Sequence, residues 1–419
     1  MSASTLQIIA VTIFVIAIIH IFSVKYFEHL AHRSEKHSGL LHLLGEIEVV
    51  FGIWAMVLVI FMFIFLGKDE TMEYVNNRNY VETMFVFVIM VIAATRPILN
   101  TVLSLVKKVS NILPLKGATA FYFVVMFLVP LLGSLITEPA AMTLAALILS
   151  DKLFSQGISN KLKYVTLGTL FINISVGGTL TNFAAPPILM VAKTWEWDTL
   201  FMFTTFGWKA MIITFINTIL IIVLFYKELS SINIRTTVSD RERIPYIIVL
   251  VHFVFLFLVV YFGHYPAFFM SIFLLFLGVT YAYQQYQDRL MLREGLLVAF
   301  FLGGLVILGG QQEWWLKDII SNMSNTEAFL GAVTLGAFTD NAAITYLGSL
   351  VLGLSEEFKY YLVAGAVTGG GLTIIANAPN PAGAAILKSH FPDNSIDPRF
   401  LALGAIVPTL IASLCFIYL

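Results

Sequence analysis

Ten stretches of this 419-residue chain are each long and apolar enough to cross a hydrocarbon core about 30 Å thick, which leaves few folds open. They are 6 to 24, 47 to 66, 84 to 106, 164 to 192, 201 to 226, 244 to 262, 267 to 284, 295 to 311, 360 to 387 and 400 to 418. Only 12% of the residues are charged, where a soluble globule needs roughly 25% to solvate its surface. Soluble enzymes and disordered chains are excluded on that ground. With 24 positive against 25 negative side chains there is no electrostatic footprint for nucleic acid either. The single cysteine, Cys415, has no intrachain partner and says nothing about redox compartment. No Lys or Arg precedes the first span and no small-residue cleavage site follows it, so it reads as a retained helix.

Two further apolar stretches do not fit as single spans. Residues 327 to 354 read EAFLGAVTLGAF, then Thr339-Asp340-Asn341, then AAITYLGSLVLGL, with arms of about 13 residues that are too short to cross. Residues 117 to 154 are divided at Pro130, with LLGSLIT before Glu138-Pro139 and a second apolar arm after. Both read as re-entrant hairpins. Irregular backbone at membrane depth is tolerated only beside protein or water, so both tips should line an internal cavity. Placing the N-terminus outside leaves 17 Lys and Arg in cytoplasmic positions against 5 outside, with Arg96 and Lys209 within spans. Both termini are then extracytoplasmic.

The hairpins belong to an internal repeat. Thr137-Glu138-Pro139-Ala140-Ala141-Met142-Thr143 matches Thr339-Asp340-Asn341-Ala342-Ala343-Ile344-Thr345. Downstream, GGTLTNFAAPP at 177 to 187 matches GGGLTIIANAP at 369 to 379. Each half holds three spans, a hairpin, a broken span and a final span. Five crossings is odd, so the halves have opposite orientation, the mark of secondary transporters. The expected fold is an all-α polytopic membrane protein of about ten transmembrane helices plus two hairpins in two inverted-topology repeats, with helices broken at the midplane. The first repeat is 1–226, with scaffold helices in 1–112 and transport elements in 117–226. A cytoplasmic linker spans 227–243. The second repeat is 244–419, divided into scaffold 244–326 and transport elements 327–419.

Gly177-Gly178 and Gly369-Gly370-Gly371 let the backbone unwind, and Pro186, Pro187, Pro379 and Pro381 stop the helix continuing. Freed carbonyls and helix ends then suit ions. Glu138 and Asp340 each cost on the order of 3 kcal/mol at membrane depth, so they mark function. A carboxylate there binds Na+ or a proton but not both, and repels a dicarboxylate. Asn182, Asn341, Asn377, Thr137, Thr179, Thr339 and Thr373 add the neutral oxygens a hard cation wants. The same residues also suit the plainer task of capping the half-helices, and Glu138-Pro139 that of starting one.

Other residues have blander readings. Arg96 precedes Pro97 and needs a carboxylate, a structural partner or a wet path. Lys209 is close enough to a helix end to snorkel. The first cytoplasmic loop holds His29, His32, His37 and His42 beside Glu28, Glu35 and Glu46, which reads as a solvated loop before a pH sensor or metal site. His20 and His252 read as satisfied core residues, and Trp195, Trp197, Trp314 and Trp315 as interfacial anchors. No cofactor box is evident.

The tips and broken segments resemble the ion transporter superfamily of sodium/dicarboxylate symporters, arsenite and citrate transporters and bacterial sodium/proton antiporters. The resemblance covers 117 to 226 and 327 to 419. GGTLTNFAAPP is similar to the broken-helix motif of the dicarboxylate symporters, whereas acids replace the Ser-Asn-Thr of their hairpin tips. The chain is therefore identified as a member of the bacterial sodium/proton antiporter branch. That resemblance implies an elevator mechanism, a homodimerised scaffold and a bacterial inner membrane. The expected activity is exchange of Na+ for H+ with Glu138 and Asp340 as the exchanging acids and no cofactor. Sodium-coupled uptake of an anion is the alternative. A passive channel and an aspartyl intramembrane protease are further readings, the last lacking its Gly-x-Gly-Asp context.

Overall fold

The computed structural model describes residues 5–33, 37–232 and 243–419, and no strand occurs among them. The sequence fills helices with Leu, Ile, Val, Phe and Ala, and most of the breaks fall at Gly, Pro or a capping side chain. The first half comprises α1 (Thr5–Arg33), α2 (Ile47–Leu66), α3 (Val81–Ala93), α4 (Arg96–Ile112), α5 (Thr119–Ile136), α6 (Glu138–Lys152), α7 (Asn160–Gly177), α8 (Pro186–Ala192) and α9 (Thr199–Leu224). The second comprises α10 (Tyr246–Tyr261), α11 (Pro266–Ala282), α12 (Leu292–Gly309), α13 (Asn325–Phe338), α14 (Asn341–Ser349), α15 (Glu356–Gly369), α16 (Asn380–Leu387) and α17 (Pro398–Tyr418). Short helices at 38–44, 68–76, 226–231 and 313–320 join them.

Among the described residues, six helices are long and apolar enough to cross a membrane: α1, α2, α5, α9, α12 and α17. Large apolar side chains stay exposed along them and their neighbours, among them Ile64, Phe65, Phe257, Leu274 and Leu403. Such a surface is tolerable only in hydrocarbon. α10 and α11 are apolar but shorter, at 16 and 17 residues.

Three expectations about spans need correction. The stretch 84 to 106 is not one rod: α3 and α4 meet at a bend of 64°. Thr95 is extended there, and Pro97 falls in the first turn of α4, where its missing N–H costs no helical bond. Pro130 does not divide 117 to 154; helix runs from Thr119 to Ile136 and breaks at Thr137. A π turn at 124–128 precedes the proline, and the Met126 carbonyl, four residues before Pro130, accepts from Asn173 Nδ2 at 2.8 Å. A side chain from α7 thus supplies the donor that proline lacks. The histidine-bearing segment is partly helical, since α1 extends to Arg33 and carries His29. The side chains of Glu28 and His32, and all of Glu35, lie outside the described residues, as does most of the 227–243 linker.

Packing follows small residues. A Cβ on Gly304 of α12 would sit 2.4 Å from the Gly52 nitrogen of α2, and one on Gly168 of α7 would sit 2.6 Å from the Ala405 nitrogen of α17. Both pairs of helices therefore touch backbone to backbone. The elements around the helix breaks interlock reciprocally: α8 packs on α14, and α16 packs on α6. Each half-helix that follows a break in one half of the chain thus covers the second arm of the helix pair in the other.

Candidate ion-binding site

α5 and α6 meet at Thr137, whose φ of 73° is a left-handed value that a β-branched residue rarely adopts. The turn it makes buries Glu138 completely at the first position of α6, where Pro139 can follow without losing a hydrogen bond. Against it lies the unwound end of α7. Ser134 Oγ donates to the Gly177 carbonyl at 2.7 Å and accepts from the Leu180 N–H at 2.9 Å. Thr181 Oγ1 donates to the Ser134 carbonyl at 2.7 Å. These bonds hold Gly178 so close that a Cβ there would lie 2.3 Å from Glu138 Oε1. Only glycine leaves room for the acid.

The second tip is built alike. α13 ends at Phe338, and Asp340, only 5% exposed, caps α14 by accepting from the Ala342 N–H at 2.8 Å. Asn341 N donates to the Ala376 carbonyl at 3.1 Å, as Glu138 N does to the Ala184 carbonyl at 3.5 Å. Ala184 and Ala376 occupy the same position in the two aligned broken segments. Thr373 Oγ1 donates to the Ala337 carbonyl at 2.7 Å, the counterpart of the Thr181 bond.

The two acids meet through Asn377. Its Nδ2 donates to Glu138 Oε2 at 2.8 Å, and the same residue lines a small cavity with Asp340. The cavity has a volume of about 10 Å³, room for one water or one bare small cation. Glu138 Oε1, Asn377 Oδ1 and Asn341 Oδ1 are buried with no hydrogen-bond partner. Buried oxygens without donors are costly, at about 1–3 kcal/mol each, and of these three only Asn377 Oδ1 belongs to a residue lining the cavity, where it joins the carboxylates of Asp340 and Glu48 as acceptors that suit a cation or a proton.

Of the residues singled out from sequence, Glu138, Asp340 and Asn377 come together, with Thr137 and Asn341 at the tips. Thr137 Oγ1 is buried and unbonded, and Asn341 Nδ2 donates to Ser175 Oγ at 3.3 Å. Asn182 does not join them. Its amide donates to the Trp197 carbonyl and accepts from Thr199 Oγ1, beside a separate vestibule of about 450 Å³ lined by Glu82, Glu196, Asp198 and His264. Thr179 and Thr339 hydroxyls donate to the carbonyls of Val176 and Leu335, and Thr373 bridges to Ala337, so these three cap helix ends.

Arg96 lies at the bend with its Nη1 3.4 Å from the Gln285 carbonyl. Lys209 does not snorkel; its Nζ donates to the Tyr360 hydroxyl at 2.7 Å and lies over that ring. Trp197 is no interfacial anchor, being 3% exposed in a cluster with Trp195, Phe201 and Phe206. His20 contacts Trp54 Nε1 and the Leu44 carbonyl, and His252 contacts the Ile248 carbonyl and Gln287. No group of three His, Cys, Asp or Glu placed to hold a metal occurs among the described residues.

Sequence reasoning passed over Ser134, Ser175 and Glu48. Glu48 lines the Asp340 cavity. An acid just inside the predicted span 47 to 66 was the available signal, disguised because acids at helix starts ordinarily answer the helix dipole.

The described residues form an all-helical, multi-pass membrane protein with carboxylates buried at helix breaks. The chain belongs to the family described as "Putative Na+/H+ antiporter", whose model matches residues 5–419. This places it among cation/proton antiporters, with Na+ and H+ as the transported ions. No curated protein matches the chain.

Proposed function

We propose that the protein exchanges Na+ for H+ at Glu138 and Asp340, the acids at two pseudo-equivalent helix breaks. The observation that carries this reading is Asn377, which donates to the buried Glu138 and itself lines the cation-sized space beside Asp340. Exchange follows from competition. A carboxylate holding a proton has no charge for Na+, and one holding Na+ has released its proton. Net transport then requires only that the loaded site face each side in turn.

The reciprocal packing of α8 on α14 and α16 on α6 supports two inverted repeats, with α5–α6 and α13–α14 as re-entrant hairpins. It also favours an elevator, because the tips and broken segments are tied to one another while α2 and α12 form their own close pair. The scaffold would be 1–112 with 244–326, and the moving unit 117–226 with 327–419. A homodimer through the scaffold and an inner-membrane location with external termini complete the proposal.

The test is reconstitution with a trapped pH dye at clamped membrane potential and no organic substrate. A Na+ jump is expected to alkalinise or acidify the lumen according to the gradient. A change seen only when an anion substrate is added would replace this reading with sodium-coupled anion uptake.

A further inference from the structure

The cavity beside Asp340 is bounded by two groups of elements. Asp340, Asn377 and Ala378 come from the α13–α14 break and the segment leading into α16, whereas Glu48 and Phe301 come from α2 and α12. Because α2 and α12 touch through Gly52 and Gly304, they form one rigid pair. Glu48 is therefore an acid presented to the site from outside the tip and the broken segment.

Three side chains with acceptor oxygens face this space. Asp340 accepts from the Ala342 N–H and is reached also by the backbone N–H groups of Ala343 and Ala378, Asn377 Oδ1 is fully buried with no partner, and Glu48 brings a second carboxylate to the same lining. Arg293 of α12 makes its ion pair with Glu46, two residues before Glu48, and its charge and that of Glu46 both reach Glu48. A space the size of one water admits a cation only after it sheds most of its hydration shell, so protein oxygens must replace that shell.

We infer that Glu48 is a cation ligand supplied by the α2–α12 pair, so that the site at Asp340 is complete only while that pair faces the tip. This rests on exchange at Asp340 and adds a reason for release. Movement of the tip away from α2 strips one anionic ligand, the affinity for Na+ falls, and a proton replaces the cation on Asp340. The affinity of the two faces should then differ, with the higher affinity on the face that opens in the present arrangement.

Exchange in oriented proteoliposomes, with Na+ supplied from each side in turn, tests this in the wild type, Glu48→Gln and Glu48→Asp. The half-saturating Na+ concentration is expected to rise at least tenfold on one face in Glu48→Gln and to stay within twofold on the other. Glu48→Asp is expected to fall between. Unchanged values on both faces, or an equal rise on both, would overturn the inference. Na+-dependent thermal stabilisation of the detergent-solubilised protein gives a second readout. Stabilisation that is weaker in Glu48→Gln than in the wild type supports the inference, and identical stabilisation overturns it. If Glu48→Gln does not fold, Glu48→Asp carries both measurements. A wild type that binds Na+ through Glu48 yet exchanges no protons would sink the exchange reading and leave the ligand assignment standing.

Discussion

Asn377 is the smallest unit on which the site depends. Its Nδ2 is the donor that Glu138 Oε2 receives, while its own Oδ1 stays open beside Asp340. Asn377→Leu removes the donor and keeps the branched outline of the side chain, leaving a buried carboxylate unbonded at a cost of about 1–3 kcal/mol. Thermal melts in detergent should show that loss, and the half-saturating Na+ concentration should rise. Gly178 is the matching steric constraint. Gly178→Ala places a methyl 2.3 Å from Glu138 Oε1, so the acid must move. Overpacking of this kind costs about 1–3 kcal/mol, and exchange should fall by tenfold or more. Wild-type exchange in Gly178→Ala would show that the position of Glu138 is immaterial.

At the scale of elements, the breaks were legible in the sequence because they use chemistry that admits little else. Gly-Gly followed within ten residues by Pro weakens a helix and then removes its donors, though Gly303-Gly304 alone is carried inside α12, and acids at membrane depth advertise themselves. Partners supplied by distant elements were not legible. Pro130 reads as a break until Asn173, 43 residues on, is seen to satisfy the Met126 carbonyl. Lys209 reads as a snorkelling cation until α15 brings Tyr360 to it. Glu48 carries no clear mark of a role in the sequence, and only the cavity it shares with Asp340 brings it to notice. Asn182 erred the other way: its neighbours in sequence suggested the site, but the broken segment turns its amide toward Trp197 and Thr199. The Pro130 device predicts a coupling. Asn173→Ala should destabilise by about 1–3 kcal/mol, and by less in a Pro130→Ala background, where the alanine N–H can bond the Met126 carbonyl. Equal losses in both backgrounds, measured by thermal unfolding, would remove this account of α5.

At the scale of the whole molecule, the cavity lies where α2 and α12 meet the tip and broken segment, so motion between them should be required for transport. Val298 and Pro381 line that cavity from opposite groups of elements. A Val298→Cys/Pro381→Cys pair in a Cys415→Ala background, bridged by a bifunctional thiol reagent, should arrest exchange, and a cleavable bridge should restore it on reduction. Undiminished exchange in the bridged protein would contradict relative motion at this surface. The central claim is that the acids at the two breaks are the exchanging groups, and Asp340→Asn tests it most directly because the amide keeps the shape and an acceptor oxygen for the Ala342 N–H. In proteoliposomes at clamped potential, the folded Asp340→Asn protein should give no pH change after a Na+ jump that drives the wild type. A Na+-driven pH change of wild-type size in that variant would contradict the account.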